Sequence, residues 1–246
     1  MNSTIELLHS HRSIRKFTDQ QVDQSVIETL ISSGQAAATS SFIQACTVIQ
    51  VSDVLKRESL AQMAGNQKYV AEAPVFLVFC ADMHRHKIAC QIHDADMQSG
   101  FTEQFLTASI DSSLFAQNLV VAAESLGLGG CYIGGLRNDI AGVSDLLDLP
   151  ELVYPVFGLC LGYPDQNPEI KPRLPINQVL KQDSYSSDQD DIAVLQQYDE
   201  QVRAYYQSRT GGTKNQGWTE QISTMLQKEA RPHMLEFLKK KGFLLK

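Results

Sequence analysis

The chain has 246 residues, a formal net charge of −7, 43% hydrophobic residues and 20% charged ones. That is enough for one large domain or two small ones, with the composition of a soluble globular enzyme. The acidic balance argues against a general nucleic-acid binder, which would present a basic face. No apolar run approaches the ~20 residues that span a bilayer. Residues 1–6 lack the basic stretch and apolar core of a secretory leader. The five cysteines, Cys46, Cys80, Cys90, Cys131 and Cys160, are odd in number and form no C-x-x-C pair, so reduced thiols and a cytoplasmic location are expected.

In chain order, Ser3 and Glu6 fit a capping box and predict a short helix ending near His9. The basic stretch His11-Arg12-Ser13-Ile14-Arg15-Lys16 follows at once. Residues 23–36 place Val26, Ile27, Leu30 and Ile31 at amphipathic-helix spacing and run into the small polar loop Ala37-Ala38-Thr39-Ser40-Ser41. The β-branched residues 47–51 predict a strand, after which Asp53 caps a helix through Met63. Residues 75–80 are continuously apolar after Pro74 and predict a central strand buried on both faces. Residues 82–100 are polar and read as irregular. A core helix is predicted over 111–126, stopped by Gly127. Cys131-Tyr132-Ile133 reads as a short strand broken by Gly134-Gly135, and Asn138 or Asp139 caps the next helix. Residues 153–161 form another apolar strand, ending in a loop that holds Lys171-Pro172-Arg173. From Lys181 the chain is polar and weakly ordered, then helical over 191–207 and again over 218–241. The layout is an α+β domain of residues 1–180 and a helical extension, 181–246, which must wrap the core or a second subunit.

The candidate chemistry is a set of binding groups. The cluster at 11–16 suits a compact dianion such as a terminal phosphate, because arginine offers a planar fork of donors; it reads equally as a solvated basic turn. Lys171 and Arg173, spaced by a stiff proline, form a second such pair with the same two readings. Gly134-Gly135 is either a strand-end turn or a place where a flat ligand approaches main-chain N–H groups. Thr39, Ser40, Ser41, Gln44 and Gln67 offer hydroxyls and amides. His84, His86, Cys90 and His93 fit no standard metal-ligand spacing, so no metal is expected. With no nucleophile elbow, P-loop or acid/base pair, these groups imply that a cofactor supplies the reactivity.

The sequence resembles the nitroreductase-type flavoproteins, in the branch of oxygen-insensitive NADPH nitroreductases and P-type flavin reductases. The resemblance rests on residues 11–18, 38–42, 122–137, 157–164 and 171–175, and on Glu229-Ala230-Arg231-Pro232. It implies a mostly antiparallel sheet flanked by helices, in an FMN-binding homodimer whose C-terminal extension embraces the partner. His11, Arg12, Ser13 and Arg15 would hold the ribityl phosphate, with Lys171 and Arg173 closing the site. Thr39, Ser40, Ser41 and Gln67 would reach the ribityl chain or ring edges, and Tyr132, Ile133, Gly134 and Gly135 would line the flavin. Arg209 matches the arginine that the branch uses for NADPH. Lys214 takes a second basic position, keeping the charge without the bidentate fork. The implied activity is a ping-pong transfer of hydride from NADPH through FMN to nitroaromatics, quinones or flavins. The alternatives are a reductase that releases free reduced FMN, and a flavin-binding redox sensor without turnover.

Overall fold

A computed structural model describes residues 2–185 and 191–246; five residues of the expected polar stretch, 186–190, lie outside it. The elements in order are α1 (Ser3–His9), α2 (Gln24–Gln35), β1 (Cys46–Gln50), α3 (Val54–Met63), α4 (Tyr69–Glu72), β2 (Val75–Asp82), α5 (His84–Ile92) and α6 (Thr102–Ser125). They continue with β3 (Gly129–Ile133), α7 (Ile140–Leu146), β4 (Val153–Gly162), α8 (Ile176–Val179), α9 (Asp191–Thr210), α10 (Trp218–Leu226) and α11 (Met234–Lys240). The chain divides into two compact units: residues through Asn167 together with Arg231–Lys246, and Pro168–Ala230.

In the first unit the sheet order is β1-β2-β4-β3, and every strand pairing among the described residues is antiparallel. The alternation of β2 sorts its side chains to two faces. Phe76, Val78 and Cys80 meet Leu60, Val70, Leu136 and Val143, whereas Val75, Leu77 and Phe79 meet Ile27, Leu30, Ala116, Leu119 and Val120. Helices thus cover both sides, which explains why β2 is apolar without interruption. A third cluster joins Tyr154, Ile140 and Leu152 to Phe237 and Phe243 near the C-terminus.

Two caps match the sequence reading: Asp53 accepts from Lys56 N at 2.8 Å, and Asp139 from Gly142 N at 3.0 Å. The first helix differs, since Asn2 rather than Ser3 is its cap and accepts from Ile5 N at 3.0 Å. Residues 84–92 are helical although they read as irregular, because Asp82 Oδ1 accepts from His84 N at 2.9 Å and starts a polar helix. Helix α6 begins nine residues before the expected Asp111. That residue does not cap; it lies inside the helix with its carboxylate turned into the core. By length and apolar composition α6 would meet the requirement for a bilayer span, yet eight of its residues are buried within the chain, as in a core helix.

In the second unit Asp199 ties α9 to α10: Oδ1 accepts from Thr219 N at 2.8 Å and Oδ2 from the Thr219 hydroxyl. Tyr198 and Trp218 meet edge to face, with centroids 6.0 Å apart.

Candidate active site

The basic segment lies along one edge of the sheet. Ile14, 4% exposed, is its anchor, and its N–H donates to Gly130 O at 2.8 Å. Further along, Phe17 bridges Pro164 and Thr18 N donates to Tyr163 O at 2.9 Å. This approach requires glycine at 129, where a Cβ would stand 2.6 Å from Ile14 Cγ1 and 3.0 Å from Pro164 Cγ. With Ile14 turned inward, the alternation of extended backbone sends Ser13 and Arg15 the other way. His11 Nδ1 lies 2.6 Å from Glu124 Oε1 at the end of α6. Arg12 donates to Ser10 O at 3.2 Å and to Asn167 Oδ1, and Gln166 Nε2 donates to Ser13 O at 3.4 Å.

Arg15 opens onto a corner that the sequence reading did not assemble. Its guanidinium stands 6.0 Å from the Tyr69 ring centroid. The Tyr69 hydroxyl donates to Gln67 Oε1 at 2.7 Å, and Gln67 Nε2 donates to Ala64 O at 2.9 Å. Burial pushes the Tyr69 hydroxyl up, against a hydrogen bond and charge from Arg15. A Cβ on Gly135 would meet Ala64 O at 2.5 Å and Gln67 Nε2 at 2.9 Å, so this glycine lets the turn after β3 seat against the Gln67 loop. Three of the expected site residues, Arg15, Gln67 and Gly135, therefore converge through Tyr69. Nothing in the sequence pointed to Tyr69, because its partner Arg15 is far away in the chain.

Other expected residues are placed differently. Tyr132 is partly exposed on β3, its ring 5.1 Å from that of Phe157 and edge-on to it. The Ile133 side chain is 1% exposed and belongs to the core, which leaves only its main chain for a ligand. Gly134 and Gly135 open a 3₁₀ turn, Gly134–Asp139, whose first N–H groups have no acceptor within the turn. Thr39, Ser40 and Ser41 are not part of the corner. Ser40 and Ser41 lie in a 3₁₀ turn preceding β1, with Ser41 (φ 47°) and Phe42 (φ 59°) in the left-handed region. Buried Asp111 pins the turn, accepting from Ser40 N at 3.0 Å and Ala45 N at 3.1 Å. The turn leads into β1, and the basic segment lies on β3. Those are opposite edges of the sheet, about 14 Å apart over three strand spacings.

In the second unit a tyrosine pair gathers the basic residues. Tyr205 and Tyr206 meet edge to face at 5.2 Å. Lys214 Nζ stands 3.9 Å from the Tyr206 centroid and Lys171 Nζ 5.5 Å from it. Arg209 Nη1 donates to the Tyr205 hydroxyl at 2.7 Å, while Arg173 Nη1 donates to Lys171 O at 2.7 Å. Burial would raise the Tyr206 hydroxyl, but hydrogen bonds and charge from Lys171 and Lys214 prevail and lower it.

The family model for the nitroreductase family matches residues 8–163, and that for the nitroreductase family C-terminal domain matches residues 171–246. This chain belongs to the nitroreductase family. It is 48% identical over 243 residues to an NADPH-flavin oxidoreductase of Vibrio harveyi, covering 98% of each chain. It is 46% identical over 243 residues to the oxygen-insensitive NADPH nitroreductase of Salmonella typhimurium, covering 99% of each. Its fold is similar to the structure of NADPH:FMN oxidoreductase from Vibrio harveyi complexed with NAD+, with a TM-score of 0.92 and 44% identity over all of both chains. The family assignment covers both compact units, and the α+β fold with an antiparallel sheet is the one the sequence implied.

Proposed function

We propose that this chain is an NADPH-dependent oxidoreductase that binds FMN and reduces nitroaromatics, quinones or flavins. The observation that carries the reading is the corner where Arg15, Tyr69, Gln67 and Gly135 meet beside the basic segment on β3. Its donor set suits FMN: guanidinium groups and a hydroxyl for a phosphate, an amide and free turn N–H groups for ring edges. When bound, FMN supplies the hydride relay, oxidising NADPH and reducing the acceptor in alternating half-reactions. His11, Arg12, Ser13 and Arg15 would hold the phosphate, joined by Lys171 and Arg173. Gln67 and the Tyr132–Gly135 main chain would orient the ring. Arg209 and Lys214 would meet the anionic end of NADPH. The chain's part in the reaction is positioning and charge, with no side chain acting as acid or base.

Two further elements belong to the proposal. Thr39, Ser40 and Ser41 would reach a flavin from a second subunit, because within one chain they sit at the far edge of the sheet. Exposed apolar residues support a homodimer: Ile5 and Leu8 on α1, and Leu106, Ile110 and Leu114 on α6. The extension 181–246 would contribute to that dimer and to the NADPH site. All five cysteines are free, which supports a reducing cytoplasmic location.

The test is direct. Purified protein should be yellow, and initial-velocity lines for NADPH against acceptor should be parallel. Arg12→Ala with Arg15→Ala removes two charge-assisted contacts of roughly 1.5–3 kcal/mol each, weakening FMN by on the order of 10²–10⁴-fold. A colourless protein that ignores added FMN, or an unchanged FMN affinity in the double variant, overturns the assignment. Comparing turnover on free FMN with that on a nitroaromatic decides whether released reduced flavin is the product.

A further inference from the structure

Beneath the corner lies a pair of thiols that hydride transfer does not use. Cys131 on β3 and Cys160 on β4 are directly opposed in the antiparallel register. Both point to the same face and join the same core cluster. The neighbouring Gly130 gives its carbonyl outward to Ile14 N, so by alternation Cys131 and Cys160 form a hydrogen-bonded pair with Cα atoms about 5.5 Å apart. That spacing falls inside the roughly 4.4–6.8 Å that a disulfide spans. The Cys160 thiol donates to Tyr69 O at 3.4 Å.

We propose that Cys131 and Cys160 are a peroxide-sensitive dithiol that closes to a disulfide across β3 and β4. The neighbouring Cys160 thiol, with the charge of Arg15, outweighs burial and holds the Cys131 thiol below its ordinary range. Burial instead pushes Cys46 up to about 12 and raises Cys80 further. Within the pair, exposure places Cys131, 3% exposed, ahead of the wholly enclosed Cys160. The Cys131 thiolate attacks a peroxide oxygen; the O–O bond breaks, an S–O bond forms, and the leaving oxygen departs as water or an alcohol after taking a proton. Cys160 sulfur then attacks Cys131 sulfur; the S–S bond forms, the S–O bond breaks, and the hydroxide leaves as water with the Cys160 proton. Two thiols are oxidised by two electrons and one peroxide is reduced. A bridge at a hydrogen-bonded strand pair distorts the ladder, so it should be readily reduced by a dithiol. It would also tighten the strand that carries Tyr132 and Ile133.

The experiment treats the native protein with hydrogen peroxide, alkylates the remaining thiols, and reads intact mass and linked peptides. The expected result is a mass lower by two hydrogens, two thiols lost to alkylation, and a Cys131–Cys160 cross-link reversed by dithiothreitol. In Cys160→Ala, dimedone should trap a sulfenic acid at Cys131, and in Cys131→Val no cross-link should form. Full alkylation of all five thiols after peroxide, a cross-link between other cysteines, or dimedone on Cys46 or Cys90 instead would overturn the proposal. None of these readouts depends on flavin or NADPH.

Discussion

Asp111→Ala removes the acceptor of two main-chain donors at once. The carboxylate is 1% exposed and takes Ser40 N at 3.0 Å and Ala45 N at 3.1 Å, one on each oxygen. A hydrogen bond to a charged group contributes roughly 1.5–3 kcal/mol, so losing both costs about 3–6 kcal/mol. Deleting the carboxylate also relieves the cost of burying its charge, which moves the expectation to the lower end of that range. About 3 kcal/mol in a chain of this length lowers Tm by roughly 6–12 °C. Asp111→Asn keeps one acceptor oxygen and turns the other position into a donor facing an N–H, so it should fall between wild type and alanine. Thermal unfolding followed by circular dichroism measures the ladder, and amide exchange at Ser40 and Ala45 locates it. An alanine variant melting within about 2 °C of wild type, or asparagine and alanine melting together, would refute the view that this carboxylate holds the turn before β1.

Other consequences are equally open to measurement. Gly129→Ala places a Cβ 2.6 Å from Ile14 Cγ1 and should displace the basic segment, weakening FMN by roughly tenfold or more in a fluorescence titration, equivalent to losing at least one charge-assisted contact. Gly127→Ala meets nothing within 4 Å but sits at φ +79°, so it should lower stability without changing FMN affinity. Burial would raise the Asp199 carboxyl, but its hydrogen bonds to Thr219 and the nearby Arg203 prevail and hold it below the ordinary carboxylate range. A depressed folded value stabilises above the unfolded value of about 3.9 and is lost as pH falls through the folded one. Emission from Trp218, the single tryptophan, should therefore shift to the red below about pH 4, and Asp199→Asn should show part of that shift at neutral pH. Arg209→Ala with Lys214→Ala should raise KM for NADPH by on the order of 10–100-fold and leave KM for NADH nearly unchanged. Equal effects on both nucleotides would show that these cations do not select between them.

The sequence exposed what depends on local patterns. The unbroken apolar run at 75–80 identified β2 as the strand covered on both faces, and Asp53 and Asp139 marked their helices because a cap acts within three residues. Helix α5 escaped because its start depends on Asp82 and its residues are mostly polar. The early start of α6 escaped because the sequence reading begins the helix at Asp111, whose carboxylate partners, Ser40 N and Ala45 N, lie far away in the chain. For the site, the basic segment was visible as charge. Gly129, which seats it, carried no such signal, since the contact of Ile14 with Gly129 joins distant parts of the chain. Tyr69 gave no signal for the same reason. Thr39, Ser40 and Ser41 were legible as a polar loop, but their position on the far edge of the sheet could come only from strand order.

That far-edge position bears on how the protein behaves on dilution. If the proposed site is closed by two copies of the chain, cofactor retention should depend on the concentration of the protein itself. At low protein concentration the halves would part and flavin would escape, with bright free-flavin fluorescence appearing along a second-order curve. Mixing a variant lacking Arg15 with one lacking Asp111 would restore one intact site in each mixed pair. The arithmetic of recovered flavin binding would then count subunits without any need to weigh the assembly.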